Sequence, residues 1–384
     1  MKILLLEPYF TGSHKSWAEG YQSNSAHEIK IISLPGQFWK WRMHGGAITI
    51  AKEFLQSDFH PDLIIATDML DLTTFLSLTR ERTSHIPTVL YFHENQITYP
   101  WSITDRDVQE KRDVHYGFIN LSSALAADHV LFNSQYHLDS FMSGGKKILK
   151  HFPDHQELDA IDEIQSKSQI LYLGMDLVQF DAYEKTNEGD PLILWNHRWE
   201  YDKNPESFFH LLYRLDKEGF PFEIAILGES FKTTPSIFDE AKDKLNDRIV
   251  HYGYCDHFKD YAQWLWKADI LPVTSNQDFF GISIMEGIYC GAYPILPRRL
   301  AYPELLPESY HSNHLYDSED DLYEMVKGCI QDITMVREHS MGDWIRKFDW
   351  NTMAPSYDKS VSYTHLRAHE TDTYLGCRLL LEKK

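Results

Sequence analysis

Short apolar runs alternate with longer amphipathic segments through the first half of the chain. The apolar runs are Lys2–Glu7, His27–Leu34, Asp62–Thr67, Thr88–Glu94 and His129–Ser134. Runs of this length, separated by segments with helical periodicity, are typical of buried parallel strands joined by crossover helices. The pattern predicts a doubly wound α/β domain, in which ligands bind at the carboxyl ends of the strands.

A second alternation of the same kind follows. Its predicted strands lie in Pro191–Arg198, Phe222–Glu229, Ile249–Tyr254, Asp269–Thr274 and Tyr293–Pro297. The sequence predicts an N-terminal domain at 1–175, a polar linker at 176–190 and a second α/β domain at 191–335. A helix at 336–360 is predicted to pack back towards the first domain, and a tail follows at 361–384. The tail fits no preceding pattern and resembles a translated adapter sequence, so we predict that it is not native.

Composition agrees with two globular domains. The chain has 384 residues, of which 43% are hydrophobic, which is enough to bury two cores. No apolar run approaches the roughly 18–20 residues of a membrane span, and Ile3–Leu6 is too short for a secretory signal. These features predict a cytoplasmic protein without a membrane span. The four cysteines show no zinc spacing and are expected to be reduced.

The acidic charge is concentrated in the second half. The net charge is −20, yet residues 1–151 hold 14 Lys and Arg against 16 Asp and Glu, whereas the remainder holds 23 against 41. A polyanionic partner, if there is one, is expected to bind the first half.

The stretch Ser275–Pro297 carries the strongest chemical signal. Phe280 and Gly281 precede a predicted helix that starts at Ile282, and the N–H groups of a helix N-terminus bind anions well. Asp278 precedes this turn, and Glu286 is placed to accept hydrogen bonds from a pair of ribose hydroxyls. The alternative is an ordinary strand, loop and helix with solvated acids. Two carboxylates around one diphosphate favour a nucleotide sugar.

The end of the first predicted strand of the second half carries Asn196, His197 and Arg198. Lys203 precedes a helix with Pro205 in its first turn. Arg198 and Lys203 suit the neutralisation of a diphosphate leaving group.

Three sites follow strands of the first half. Gly12, Ser13 and His14 form either a ligand-binding loop or a turn with a helix cap at Ser13. The basic and aromatic residues Trp39, Lys40, Trp41 and Arg42 form either a surface that stacks bases and neutralises phosphate or a packed aromatic loop. His93, Glu94 and Asn95 form either a catalytic or sugar-binding corner or a structural one. These three sets are the candidate residues of the first half.

Other chemistries have weaker support. Asp105 and Asp107 have the spacing of a metal-binding pair but lie in a charged loop away from a clear strand end, so no metal site is predicted. Gly281 and Ser283 match the start of the GxSxG elbow of serine hydrolases, but Met285 replaces its second glycine. A serine hydrolase is therefore not predicted.

These blocks together resemble the retaining GT-B glycosyltransferases of family 4, and within them the tRNA-queuosine alpha-mannosyltransferase family. The resemblance rests on Gly12–Lys15, Trp39–Arg42, Tyr91–Pro100, Phe132–Ser134, Phe152–His155, Asn196–Phe209 and Phe279–Pro297. It implies two Rossmann-like domains that face a cleft.

The resemblance also implies roles by position. Gly12, Ser13, His14, Asn196, Arg198, Lys203, Phe280, Gly281, Ile282 and Glu286 would bind the donor, and Trp39, Lys40, Trp41, Arg42, His93, Glu94 and Asn95 the acceptor. His93, Asp278, Arg198 and Lys203 would serve catalysis. Asp278 stands where family 4 usually has glutamate, and its side chain is one methylene shorter.

The function implied is transfer of mannose from GDP-mannose to the cyclopentene-diol of queuosine in tRNA, at the anticodon of tRNA-Asp. No cofactor or metal is implied beyond the nucleotide sugar. Two alternatives stay open, namely a family-4-like glycosyltransferase for a lipid or polysaccharide acceptor, and a non-catalytic protein that binds a nucleotide sugar or tRNA.

Overall fold

The chain divides into two compact units in a computed structural model. The structure describes residues 1–101, 105–109, 114–186, 188–230 and 234–364. The first unit comprises Met1–Met175 together with the C-terminal segment that begins at Trp350, and the second comprises Asp176–Asp349. The sequence predicted a domain boundary after residue 175, where the structure also divides the chain.

The first unit is built on a six-stranded sheet in the order β2-β1-β3-β4-β5-β6. Its strands are β1 (Lys2–Phe10), β2 (Glu28–Pro35), β3 (Leu63–Thr67), β4 (Thr88–Phe92), β5 (His129–Phe132) and β6 (Ser168–Ile170). All pairs are parallel, and Ile3 of β1 lies opposite both Ile29 and Leu63. The inner strands β1, β3, β4 and β5 are mostly buried, which explains why they are continuous apolar runs, whereas the edge strands β2 and β6 are partly exposed.

Helices connect these strands. They are α1 (Gly12–Asn24), α2 (Trp39–Gln56), α3 (Leu72–Thr83), α4 (Arg106–Gln109), α5 (Val114–Ala126), α6 (Gln135–Leu149) and α7 (Asp159–Ser166). Two starts are fixed by side chains, since Asp71 accepts a hydrogen bond from the N–H of Thr74 and Ser134 one from the N–H of His137. Ser134 thus caps α6, whereas the predicted alternative of a cap at Ser13 is absent because Ser13 already lies inside α1.

Residues 350–364 form a further helix of the first unit. The indole of Trp350 packs where a Cβ at Gly20 or Gly174 would clash with it. Val361 and Thr364 are buried. The predicted start of the non-native tail at 361 therefore falls within this helix, and residues 365–384 lie outside the described residues.

The second unit has its own six-stranded parallel sheet in the order β12-β11-β10-β7-β8-β9. Its strands are β7 (Leu192–Asn196), β8 (Glu223–Leu227), β9 (Ile249–Gly253), β10 (Ile270–Pro272), β11 (Tyr293–Pro297) and β12 (Leu315–Tyr316). The prediction of two doubly wound α/β domains is confirmed. β12 was not predicted, because a strand of two residues leaves no periodic signal.

The helices of the second unit cover this sheet. They are α8 (Pro205–Lys217), α9 (Ile237–Lys244), α10 (Phe258–Lys267), α11 (Ile282–Tyr289), α12 (Tyr302–Leu305), α13 (His311–His314), α14 (Glu319–Gln331), α15 (Ile333–Glu338) and α16 (Gly342–Ile345). The described part of this unit also contains 3-10 turns at Val178–Tyr183, Tyr201–Lys203, Glu308–Tyr310 and Arg346–Phe348.

The segment predicted as a linker packs into the second unit. Phe180 is buried, and its carbonyl accepts a hydrogen bond from the indole N–H of Trp266 at 2.8 Å. The carboxylate of Asp349 accepts one from the N–H of Leu177 at 2.9 Å. The start of this segment is therefore held by side chains from distant parts of the sequence.

Among the helices of the described ranges, none combines the length and the apolar character needed to cross a membrane.

Candidate functional site

Lys203 and Asp278 form a buried ion pair at the carboxyl edge of the second sheet. The ammonium of Lys203 donates to the carbonyl of Gln277 at 2.6 Å and to Oδ1 of Asp278 at 2.9 Å, and it lies 3.1 Å from Oδ2 of Asp202. Burial alone would lower the pKa of Lys203, but the carboxylates of Asp278 and Asp202 raise it. The lysine therefore stays charged although it is buried.

A second donor holds Asp278. The hydroxyl of Tyr302 donates to Oδ2 of Asp278 at 2.5 Å. Burial would raise the pKa of Asp278, yet Lys203 first and the Tyr302 hydroxyl after it lower this pKa. The carboxylate is ionised, and each of its oxygens has one fixed hydrogen-bond donor.

Backbone contacts join the two loops that carry this pair. The hydroxyl of Thr274, after β10, donates to the carbonyl of Lys203 at 2.9 Å. The N–H of Asn276 donates to the carbonyl of Asp202 at 2.8 Å. The loops after β7 and β10 are neighbours because these strands pair in the sheet.

The N-terminus of α11 lies beside Asp278 in the sequence. Gly281 is its N-cap residue with φ of 87°, and no side chain caps the helix. A Cβ at Gly281 would lie 3.2 Å from the ring of Tyr302, so glycine suits both the backbone and the space. Phe280 is buried and its ring packs edge-on against Phe348. The predicted contact of Phe280 with the nucleotide sugar is therefore left to its backbone.

Glu286 lies in the second turn of α11, where Oε2 accepts the hydroxyl of Tyr261 at 2.6 Å. The amide of Asn196 donates to the same hydroxyl oxygen at 3.1 Å and to the carbonyl of Ser283 at 2.7 Å. Burial raises the pKa of Glu286 to about 7, against the opposing hydrogen bond from Tyr261. The predicted residues Asn196 and Glu286 are thus linked through a tyrosine.

Arg198 is the exposed member of the predicted cation pair. Its side chain is half exposed and lies 3.1 Å from the carboxylate of Glu200. The positive charge of Arg198 lowers the pKa of Lys203, against the carboxylates that raise it. The neighbouring His197 is buried, and burial lowers its pKa to about 3, so it is neutral.

In the first unit, His14 forms an ion pair with Glu7. Nδ1 of His14 lies 3.0 Å from Oε2 of Glu7, and both groups are buried. Burial would lower the pKa of His14, but Glu7 raises it to about 9. Burial would raise the pKa of Glu7, but His14 lowers it. The pair is charged at neutral pH.

His93 packs against His14, with ring centroids 4.3 Å apart. Its backbone N–H donates to Oδ1 of Asp68 at 2.7 Å, and its Nδ1 lies 3.5 Å from the same oxygen. Burial, and then the charge of His14, hold the pKa of His93 well below its usual range. A neutral imidazole therefore lies beside an imidazolium, and neither ring nitrogen of His93 has a hydrogen-bond partner among the described residues.

Glu94 and Asn95 have local partners. Oε1 of Glu94 accepts a hydrogen bond from the amide of Gln96 at 2.8 Å. Oδ1 of Asn95 accepts from the N–H groups of Ile97 and Thr98 and so shapes the turn after β4. The contact of these residues with an acceptor stays a prediction.

The predicted basic and aromatic loop is the first turn of α2, which begins at Trp39. The loop prediction was wrong because the aromatic run shows little amphipathic spacing before Met43. Trp39 packs against Trp101, whereas Trp41 is 62% exposed. Nε of Arg42 donates to the carbonyl of Pro35 at 3.1 Å. Trp41 is therefore the member of this set with a large accessible aromatic surface.

Lys40 binds the two acids that have the spacing of a metal-binding pair. Its ammonium lies 2.6 Å from Asp105 and 2.5 Å from Asp107. A lysine thus occupies the position between these carboxylates that a cation would take.

Glu7, His14 and His93 also bring three metal-ligand side chains together. Their donor atoms lie within 4.8 Å of one another, and they are the one group of this kind among the described residues. The direct hydrogen bond between Glu7 and His14 instead favours a carboxylate–imidazolium pair.

Two comparisons with known proteins identify the family. The family model described as the N-terminal part of tRNA-queuosine alpha-mannosyltransferase matches residues 2–175. The tRNA-queuosine alpha-mannosyltransferase of Drosophila melanogaster is 32% identical over 330 residues, which cover 83% of this chain and 84% of that protein. The chain belongs to the tRNA-queuosine alpha-mannosyltransferase family.

Solved structures that are similar to this chain confirm the GT-B fold. Anabaena HepE in complex with UDP has a TM-score of 0.65 at 15% identity, and the match covers 94% of this chain and 100% of that one. Sucrose-phosphate synthase from Thermosynechococcus elongatus has a TM-score of 0.65 at 12% identity, with 96% and 100% covered. At these identities the likeness concerns the fold.

Four residues that contact predicted site residues were not themselves predicted from the sequence: Glu7 and Asp68 in the first unit, and Tyr261 and Tyr302 in the second. A signal existed for the two acids, because Glu7 directly follows an apolar run in β1 and Asp68 directly follows β3. The tyrosines give no such signal, since their hydroxyls reach the site only through the packing of α10 and α12. The sequence therefore singled out the charged residues Lys203, Asp278 and Glu286, but not the tyrosines that bind the two carboxylates.

Proposed function

We propose that this protein is a retaining glycosyltransferase that transfers mannose from GDP-mannose to the cyclopentene-diol of queuosine in tRNA. Membership of the family supports the acceptor and the transferred sugar. The structural observation that carries the proposal is the buried, charged Lys203–Asp278 pair at the end of a parallel sheet, where α/β proteins bind their ligands.

The reaction breaks the bond between the anomeric carbon of mannose and the phosphate oxygen of GDP. A new bond forms between that carbon and a hydroxyl oxygen of queuosine, and the hydroxyl proton passes to the departing phosphate. Negative charge grows on the diphosphate, while the sugar gains oxocarbenium character. The products are GDP and mannosyl-queuosine. The new glycosidic bond lies on the same face of the sugar as the bond that was broken, so the anomeric configuration is retained.

Residues of the second unit suit the donor half of this reaction. Arg198, which is half exposed, and the N–H groups at the start of α11 suit the growing charge on the diphosphate. Lys203 already donates to Gln277 and Asp278, so we assign it both to the diphosphate and to the orientation of Asp278. Asp278 would accept hydrogen bonds from the sugar hydroxyls, and Glu286 from the ribose.

Residues of the first unit suit the acceptor and the transferred sugar. His93 is neutral and offers an imidazole nitrogen to a hydroxyl without carrying a charge. Trp41 offers an exposed indole to a base of the tRNA. The nearly balanced charge of residues 1–151 is compatible with RNA binding on this unit, whereas the acidic second half is not.

Incubation of the protein with tRNA and nucleotide sugars tests the proposal. Queuosine-containing and queuosine-lacking tRNA are each combined with GDP-mannose, GDP-glucose, UDP-glucose or UDP-galactose, and the digested nucleosides are weighed by mass spectrometry. We expect one added hexose on queuosine with GDP-mannose alone. A hexose from another donor would overturn the donor assignment, and no hexose from any donor would overturn the acceptor.

Two lysine variants separate catalysis from general effects of lost charge. Lys203→Ala is expected to abolish transfer, because it removes the cation beside Asp278. Lys146→Ala is the matched control, since Lys146 pairs with Asp162 on the surface of the first unit. Equal activity of both variants would contradict the assignment of Lys203.

A further inference from the structure

Glu7 is the one acidic residue of the mainly apolar strand β1. It follows Leu4, Leu5 and Leu6 in β1 and has no exposed surface. Its Oε1 accepts the N–H of Tyr9 at 2.8 Å, and its Oε2 lies 3.0 Å from Nδ1 of His14. An ionised carboxylate only accepts hydrogen bonds, so Nδ1 of His14 carries a proton.

This contact fixes the direction of the other ring nitrogen of His14. The imidazole lies in α1 between the ring of His93, at 4.3 Å, and the ring of Tyr9, at 6.0 Å. Within the described part of the chain, Nε2 of His14 has no hydrogen-bond partner. The protonated ring therefore has one N–H held by Glu7 and a second N–H available for a ligand.

The charged groups around this ring favour its protonated form. Glu7, Asp68 and Glu94 each raise the pKa of His14, whereas burial lowers it. His93 on β4 is neutral and adds no opposing charge. A buried carboxylate–imidazolium pair is costly to desolvate, so it gives little stability compared with an apolar pair. A charged N–H with no protein partner instead suits an anionic oxygen.

We propose that Glu7 is a positioning residue for transfer, which holds His14 as a charged hydrogen-bond donor to a phosphate oxygen of a substrate. This proposal rests on the proposed function, whose two substrates both carry phosphate. The phosphate belongs either to the nucleotide sugar or to the tRNA, and kinetic measurements with each substrate distinguish the two sources.

Glu7→Gln is the central test, because glutamine keeps a hydrogen-bond acceptor beside Nδ1 but removes the charge. kcat and KM are measured for GDP-mannose and for queuosine-containing tRNA between pH 6 and pH 8.5. In the wild type, His14 is protonated over most of this range. Without Glu7, the pKa of His14 falls, because burial lowers it and the largest contribution that raises it is removed.

We therefore expect kcat/KM of the variant to be about ten-fold lower than wild type at pH 8 and to recover towards pH 6. A higher KM for GDP-mannose alone would assign the phosphate to the donor, and a higher KM for tRNA alone would assign it to the acceptor. A purely structural role of Glu7 would lower activity by the same factor at every pH, and that result would overturn the proposal.

Two further variants control for folding. Glu7→Asp keeps the charge and is expected to keep the pH profile of the wild type at a lower rate. Asp128→Asn is a matched control, since Asp128 also binds a backbone N–H, that of Thr88, but at the opposite end of the sheet; its pH profile should equal that of the wild type. If Glu7→Gln does not fold, an altered pH profile in Glu7→Asp would overturn the proposal.

Histidine NMR of the full-length protein gives a readout that does not depend on transfer. The His14 signal, assigned by its absence in His14→Asn, is expected to titrate near pH 9 in the wild type. Titration near the ordinary value would overturn the inference. Absence of transfer by the wild type would instead count against the proposed function, so the two failures are distinguishable.

Discussion

Tyr302 fixes the orientation of Asp278. Its hydroxyl lies 2.5 Å from Oδ2, while Lys203 binds Oδ1 from the other side at 2.9 Å. Tyr302 is fully buried in α12. The aspartate is therefore preorganised before any sugar binds, which is the condition under which a hydrogen-bond acceptor contributes most to transition-state binding.

Tyr302→Phe is expected to lower kcat/KM by about 10- to 100-fold, because a hydrogen bond to a charged group contributes roughly 1.5–3 kcal/mol. Steady-state kinetics of mannosyl transfer would measure this. Tyr316→Phe is the control, since Tyr316 is also buried but donates to the carbonyl of Val273. A similar loss in both variants would show a general effect of losing a buried hydroxyl.

Asp278→Glu restores the residue that family 4 usually has, yet we expect it to be less active here by about ten-fold or more. The additional methylene would displace the carboxylate from both Lys203 and Tyr302, which are buried and cannot follow it. Kinetics with GDP-mannose test this. Higher activity of the variant would show that the reach of Asp278 limits the native enzyme.

Donor binding is expected to depend on pH through Glu286, whose pKa is about 7. As pH rises from 6 to 8 the carboxyl loses its proton and becomes a stronger acceptor for ribose hydroxyls, so KM for the donor should fall. Tyr261→Phe removes a hydrogen bond that lowers this pKa and should move the transition to higher pH. Glu286→Gln should abolish it.

The same group affects stability in the opposite sense. Because the pKa of Glu286 in the folded protein is above its ordinary value, its contribution to stability is present at low pH and is lost as pH rises through about 7. The difference in unfolding free energy between wild type and Glu286→Gln should therefore change over this interval. A difference that stays constant from pH 5 to pH 8 would contradict the shifted pKa.

Trp41→Ala is expected to raise KM for tRNA by about 5- to 100-fold, since stacking of a base on an aromatic ring contributes about 1–3 kcal/mol. Hydrolysis of GDP-mannose without an acceptor should be unchanged. Tyr254→Ala is the matched control, because Tyr254 is also largely exposed but lies in the second unit. An unchanged KM in Trp41→Ala would remove this residue from the tRNA-binding surface.

The sequence predicted the strands and the helix after Asp278 well, because continuous apolar runs and a glycine before an apolar helix have local causes. The helix starts at Ile282 in both prediction and structure. It also predicted that Lys203 and Asp278 serve one site, although 75 positions separate them. Strand-end positions and family resemblance were sufficient for that.

What could not be predicted depends on contacts between distant elements. The buried state of Lys203, the hydroxyl that binds Glu286 and the pairing of Lys40 with two aspartates are products of packing. No periodicity encodes which donor faces which carboxylate. The sequence therefore predicted which charged residues lie together in the second unit, whereas their partners and charge states required the structure.

The helix at 350–364 makes the first unit discontinuous along the chain. Tyr357 accepts the indole N–H of Trp17 at 3.0 Å, and Asp358 accepts the hydroxyl of Tyr21 at 3.0 Å. A fragment cut after Met175 would leave these two aromatic side chains of α1 uncovered. Dissection of the enzyme into separately expressed halves therefore calls for a circular permutant or a fusion of 1–175 to the terminal helix, and a truncation alone is expected to aggregate.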